Sequence, residues 1–295
     1  MPSTPAERSV RIFVEQAAGQ FAAADLYYGH GTDNPDDEAV YLVFAALGLD
    51  FDCDEAELDA PLDEADCRRL DELIHKRIHA RIPTAYLVRQ AWFCGLPFYV
   101  DERVLIPRSP IAELIHERFT PWLEPERIHR VLDIGTGSGC IAIACAYALP
   151  EAFVDGIDID ADALAVARQN ILDHGLTGRV EAIESNLFTG LATRYDLIIA
   201  NPPYVDAEDM ADLPAEYEHE PRAALAAGDD GLDLVRRLLN EVHDYIHADG
   251  ILILEVGNSR AALEAEYPDL PFVWLEFQSG GDGVALLHAS DLPGI

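Results

Sequence analysis

The sequence predicts an α/β protein in which a small helical domain precedes a mostly parallel, seven-stranded sheet ending in an antiparallel hairpin. Three patterns predict it. Residues 1 to about 90 carry apolar positions at helical spacing and no strand-like run. From residue 130 to 257, short apolar runs alternate with helical segments, the rhythm of parallel strands joined by right-handed crossovers. Near the end, two β-rich runs flank a glycine-rich stretch, which reads as a hairpin.

In chain order, "SVRIFVEQAAGQFAAADLYY" (9–28), "DEAVYLVFAALGL" (37–49) and "DEADCRRLDELIHKRIHARI" (63–82) read as amphipathic helices, the second opened by acids suited to a helix N-terminus. "PFYV" (97–100) and "VLIP" (104–107) read as a β-hairpin around the acidic turn "DER". "SPIAELIHERFTPWL" (109–123) reads as a helix capped by Ser109, with Pro110 at its first position. Strands follow at "RVLDIG" (130–135), "FVDGIDI" (153–159), "RVEAIES" (179–185), "YDLIIA" (195–200) and "GILILEVG" (250–257). Helices are expected between them at 140–149, 161–175 and 231–246. "FVWLEF" (272–277) and "GVALLHA" (283–289) form the final hairpin through "QSGGDG".

The chain has 295 residues, of which 49% are hydrophobic, enough to bury a large core. It shows no apolar stretch of about 18 residues and no signal-peptide pattern at its start, so a soluble, cytoplasmic protein is expected. Five cysteines without a CxxC pair suggest neither a disulfide framework nor a zinc site. "HKRIH" puts His75 and His79 at ligand spacing but without a metalloprotease glutamate, so an ordinary helix and no metal is the expectation. The net charge of −34, with Lys76 the only lysine, argues against free DNA or RNA as a partner. It suits a basic protein partner, and it equally suits adaptation to a salty cytoplasm.

The first parallel strand runs into "DIGTGSG" (133–139), where Gly135, Gly137 and Gly139 let the backbone turn and approach a ligand closely. Cys140 stands where a dinucleotide fingerprint needs its third glycine, so a pyrophosphate is not required. Asp158 ends the second strand, where a carboxylate can accept both hydroxyls of a ribose held over the first loop. Asn186 and Leu187 end the third, placed to read and cover an adenine. After the fourth strand comes "NPPY" (201–204), whose two prolines stop the ladder and stiffen a ledge between Asn201 and Tyr204.

Together these motifs resemble the class I S-adenosylmethionine-dependent methyltransferases, which are Rossmann-like, and "NPPY" resembles their signature for methylating a planar nitrogen. The resemblance implies that Asp133, Gly135, Thr136, Gly137, Ser138, Gly139, Asp158, Asn186, Leu187 and Asn201 bind S-adenosylmethionine. It implies that Asn201 and Pro202 accept the two N–H bonds of the acceptor amide while Tyr204 packs over it. Relatives often have Asp where this chain has Asn186.

A DNA adenine methyltransferase would need a base-recognition region with basic grooves, and none is visible. "RIPTAYLVRQAWFCGLPFYVDERVLIPRSPIAELI" (81–115) resembles instead the protein-(glutamine-N5) methyltransferase family. "PRSPIAE" (107–113), "NPPYVDAEDMADLPAEYEHEPRAAL" (201–225) and "VWLEFQSGGDGV" (273–284) resemble its PrmB branch, which acts on large-subunit ribosomal protein L-three, free or on an assembling particle. The release-factor branch usually reads "PRPDTE", and a non-catalytic ribosome-assembly factor is the alternative of another class. The resemblance places Phe98, Pro107, Arg108, Asn201, Pro202, Pro203 and Tyr204 around the substrate glutamine, with Glu220–Pro221 shaping the loop beyond. The implied organisation is a substrate-docking helical domain (1–90), a linking β-hairpin (91–109) and a catalytic domain (110–295).

Overall fold

The computed structural model describes residues 8–278 and 280–292. Residues 1–7 and 293–295, at the ends of the expected domains, and Ser279, in the expected glycine-rich turn, lie outside the described residues. The chain divides into two compact units. The first takes the described residues up to Ala91 together with Val100–Glu102 and Pro214–His219; the second takes Trp92–Tyr99, Arg103–Leu213 and the described residues from Glu220 onward.

The first unit is helical: α1 (Val10–Ala23), α2 (Pro35–Leu47), α3 (Glu55–Leu58), α4 (Glu64–His79) and α5 (Thr84–Val88). Each long helix starts where a short polar side chain meets its free amides. Asn34 accepts from the Asp37 amide at 2.9 Å, and Asp63 accepts from Ala65 and Asp66, both at 2.8 Å. Helix α1 stops at Ala23, short of the expected Tyr28, and α2 stops at Gly48, whose φ of 68° suits a left-handed cap. Phe13, Phe21, Leu42, Val43, Leu70 and Ile74 fill the core of this unit. Beside it lies a buried charge cluster. Arg77, 1% exposed, pairs with Glu38 and donates to Glu216 Oε1 at 3.1 Å and to the Tyr27 carbonyl at 2.8 Å. Burial pushes the Glu216 carboxyl up, but the Tyr27 amide and Arg77 outweigh it and hold it below its ordinary value.

The second unit opens with strands β1 (Ala91–Phe93) and β2 (Leu96–Phe98), then α6 (Ile111–His116). This corrects the expected hairpin. The turn forms at Cys94–Gly95, with φ of 51° and 74°, the pair of left-handed residues that a two-residue hairpin turn requires. "VLIP" forms no strand, because the Ile106 amide bonds to Glu220 Oε1 at 3.1 Å and Pro107 has no amide to offer. The α/β part follows as β3 (Arg130–Ile134), α7 (Cys140–Ala148), β4 (Phe153–Asp158), α8 (Ala161–Asp173), β5 (Val180–Glu184), β6 (Tyr195–Ala200), α9 (Asp209–Asp212), α10 (Asp233–Glu241), β7 (Ile246–Glu255), α11 (Arg260–Glu266), β8 (Val273–Trp274) and β9 (Val284–His288). The sheet order is β5-β4-β3-β6-β7-β9-β8, parallel except for β9, which runs antiparallel to both neighbours. The seven-stranded sheet with its closing hairpin is therefore as expected. Apolar layers cover both faces, one around Ile141, Ile143 and Leu286 and the other around Val235, Leu239 and Leu252.

Replacing Arg77 by Ala leaves Glu38 and Glu216 buried without their cation. The expected cost is about 3–5 kcal/mol, read as a lower urea midpoint for the helical unit; a midpoint like wild type contradicts it.

Candidate active site

The site lies at the carboxyl tips of β3, β4, β5 and β6, where an open parallel sheet leaves a crevice. Ile134 of β3 pairs with Ile157 on one side and Ala200 on the other, so the glycine turn, Asp158 and Asn201 emerge side by side. Gly135, Gly137 and Gly139 all have positive φ, and the amides of Gly135 and Thr136 both donate to the Ile157 carbonyl at 2.9 Å. Asp133 stays beneath this turn. It accepts from Thr136 Oγ1 at 2.6 Å and from the Ala142 amide at 3.2 Å, bracing the turn against the start of α7. Burial pushes the Asp133 carboxyl up to about 7. Gly156 makes room for Thr136, since a Cβ there would stand 2.7 Å from Oγ1.

Asp158 holds the turn from the other side, accepting from the Gly137 amide on Oδ2 and the Asp160 amide on Oδ1, both at 3.0 Å. Burial raises its carboxyl, and these amides offset part of the rise. At the tip of β5, Asn186 Oδ1 accepts from Arg237 Nη2 at 2.9 Å, which leaves its amide donors for a ligand. Leu187 has a φ of 51°, in a turn tied by Ser185, which bonds to the Leu187 carbonyl and to the Thr189 carbonyl at 2.9 Å.

A cavity of about 260 Å³ opens above these tips. Gly135, Gly137, Asp158, Asn186, Leu187, Asn201 and Pro203 line it. Asp133, Thr136, Ser138 and Gly139 do not; the Ser138 carbonyl accepts from Asn170 Nδ2 at 2.8 Å. The opposite wall comes from Arg103–Leu105 and from Pro221, Ala223 and Ala224. One buried carboxylate joins those two segments: Glu220 accepts from Arg108 at 2.6 and 2.7 Å and from the Ile106 amide. Pro107 and Arg108 thus stand behind the wall, and Phe98 is a core residue, 1% exposed, with its ring 5.0 Å from that of His174.

Pro202 and Tyr204 do not line this cavity. The Tyr204 hydroxyl donates to Glu255 Oε1 at 3.1 Å, and the Tyr204 carbonyl accepts from Ser259 Oγ at 3.0 Å. Sequence reasoning missed Arg103, Arg237 and Glu255. Glu255 had a signal, a lone carboxylate ending the apolar run "GILILEVG"; Arg237 had none, being one of two arginines on a helix.

An apolar cavity with a ribose-suited carboxylate, an amide donor at its far end and a glycine turn closing its floor fits an adenosine-bearing ligand. A model of the methyltransferase small domain matches residues 117–228. The ribosomal protein uL3 glutamine methyltransferase of Burkholderia pseudomallei is 47% identical over 98% of this chain and 97% of its own length. That of Neisseria gonorrhoeae is 48% identical over 95% and 93%. Among solved structures, the hMettl16 catalytic domain in complex with a MAT2A 3'UTR hairpin superposes with a TM-score of 0.53, over 79% of this chain and 85% of that one, at 18% identity, a similarity of fold.

Asp133 titrates near 7 in the fold against 3.8 unfolded, so its contribution to stability is present below the lower value and is lost as pH rises through the higher. Asp133→Asn cannot ionise. Its melting temperature should gain on wild type between about pH 5 and about pH 8; a constant difference across that range contradicts the buried-carboxyl account.

Proposed function

The chain belongs to the family of ribosomal protein uL3 glutamine methyltransferases, and we propose that it transfers a methyl group from S-adenosylmethionine to the side-chain amide nitrogen of one glutamine in uL3. The observation that carries this reading is the adjacency of the glycine turn and the "NPPY" ledge, where a Cβ on Gly135 would lie 3.7 Å from the Asn201 carbonyl. When bound, S-adenosylmethionine supplies a methyl group activated on a sulfonium. Gly135 and Gly137 border its methionyl part, Asp158 accepts the ribose hydroxyls, and Asn186 and Leu187 take the adenine. Asp133 braces the turn from beneath, while Thr136, Ser138 and Gly139 form it with the other glycines.

An amide nitrogen is a poor nucleophile because its lone pair is delocalised. The Asn201 side-chain oxygen and the Pro202 carbonyl accept its two N–H bonds, and the Tyr204 ring covers its plane, fixing the nitrogen toward the methyl group. Positioning of this kind supplies at best about 7–11 kcal/mol. No charged general base is needed in the ledge, since the proton can leave after transfer. Pro107 and Arg108 shape the wall through Glu220, and Phe98 anchors the hairpin before it.

The helical unit docks the substrate, as the ledge and its loops are short for recognising a whole protein. A net charge of −34 favours a basic partner and disfavours free nucleic acid. No helix among the described residues is long and apolar enough to cross a membrane, and all five cysteines are free, which agrees with work in the cytoplasm.

The test is transfer from labelled S-adenosylmethionine to purified uL3 and to a release factor, side by side, with mass spectrometry of the labelled peptide. Label on one glutamine of uL3 alone is expected. Asn201→Ala should lower that transfer by about 100-fold or more. Label on the release factor alone overturns the substrate, and label on neither protein, with assembling particles also unlabelled, overturns the reaction.

A further inference from the structure

A buried carboxylate behind the ledge has no part in the roles above. Glu255 ends β7, is 4% exposed, and has both oxygens engaged: Oε1 accepts from the Tyr204 hydroxyl at 3.1 Å and Oε2 from Ser109 Oγ at 2.6 Å. Ser109 Oγ in turn accepts from the Ile111 amide at 3.2 Å, so its orientation is set by the start of α6. Burial pushes the Glu255 carboxyl up, while the two hydroxyls and nearby Arg108 pull it back. Ending an apolar strand on a buried carboxylate is costly unless its hydrogen bonds are all made, and hydrophobic residues would build the strand as well. The placement therefore asks for a reason beyond the sheet.

Tyr204 is held at several points, and they differ in what they control. Its carbonyl accepts from Ser259 Oγ, which fixes the backbone. Its ring lies on Gly257, where a Cβ would stand 2.6 Å from Cε2, and Gly257 is itself overlain by Gly283, where a Cβ would stand 2.2 Å from the Gly257 carbonyl. This close stack limits the ring from the Gly257 side but leaves its far end to be set by the hydroxyl. We propose that Glu255 is a positioning residue for methyl transfer: through its bond to the Tyr204 hydroxyl, and braced by Ser109, it sets the angle at which that ring covers the substrate amide. The inference rests on the reading of Tyr204 as the residue over the amide.

The test compares Glu255→Gln, Tyr204→Phe, Ser109→Ala and the Glu255→Gln/Tyr204→Phe pair in the full chain, with uL3 as substrate. Glu255→Gln keeps the size of the side chain, and Tyr204→Phe keeps the ring while removing the hydroxyl. Each should lower kcat by about tenfold to a hundredfold and leave the Kd for S-adenosylmethionine within about twofold. The pair should be no slower than the slower single variant, because both act on one bond, which Glu255→Gln weakens by making its acceptor neutral and Tyr204→Phe removes. Ser109→Ala should fall the same way by less, and it carries the coupling test with Tyr204→Phe if Glu255→Gln does not fold. Losses that multiply, a wild-type kcat in Glu255→Gln, or a kcat loss matched by lost cofactor affinity overturn the inference while the function stands. A wild-type chain that leaves uL3 unlabelled overturns the functional reading and this inference with it.

Discussion

The parallel pairing of β3 with β6 is the constraint on which the site depends. Val131 to Ile134 lie in register with Leu197 to Ala200, and apart from Asp133 every residue of that ladder is an aliphatic side chain or alanine withdrawn from water. Each large aliphatic contributes roughly 1.5–3 kcal/mol by burial, and a slip of one residue would exchange the side chains fitted to one apolar layer for those fitted to the other. The register is thus strongly specified. Its consequence is that both strands end together, so the glycine turn of one and the proline-stiffened ledge of the other meet at one level. On the proposed reading, a methyl donor over the first and an amide on the second would be neighbours.

In and around this pair, β3, β4, β7 and the loop after the ledge supply one carboxylate each, and each is put to a different use. Asp158 on β4 faces the cavity and ties the turn, while Asp133 on β3 turns inward and braces it. Glu255 on β7 lies behind Tyr204. Glu220, from the loop after the ledge, fastens the outer wall to Arg108. A buried carboxylate survives only where donors meet it, and here the donors are backbone amides, hydroxyls and one guanidinium. The same bonds that make the charges tolerable also fix the loops, so the geometry of the site and the solvation of its acids are one problem.

Much of this was legible in the sequence because the sheet is built from runs with one period and clear ends. "RVLDIG", "YDLIIA" and "GILILEVG" are dominated by apolar residues, as strands covered on both faces are, and glycine or proline follows each apolar run closely. The first hairpin was misplaced because "DER" looks like a polar turn, whereas the backbone needed two left-handed residues and found them at Cys94–Gly95. Helices α3, α5, α9 and α11 run over four to seven residues, too short for a periodic pattern to show. In the acidic stretch 206–220, Glu216 and Glu220 are buried against arginines distant in sequence, which composition alone does not show. Composition reports charge, and only the fold reports which charges meet.

The most direct test of the account is a crystal structure of the chain with S-adenosylhomocysteine and a glutamine-bearing segment of uL3. The account predicts the glutamine amide on the ledge, with the Asn201 side-chain oxygen and the Pro202 carbonyl each about 2.7–3.2 Å from its nitrogen, the Tyr204 ring over its plane and the sulfur beyond. A glutamine seated away from Asn201, or a cofactor that does not rest on the Gly135 turn, would contradict it.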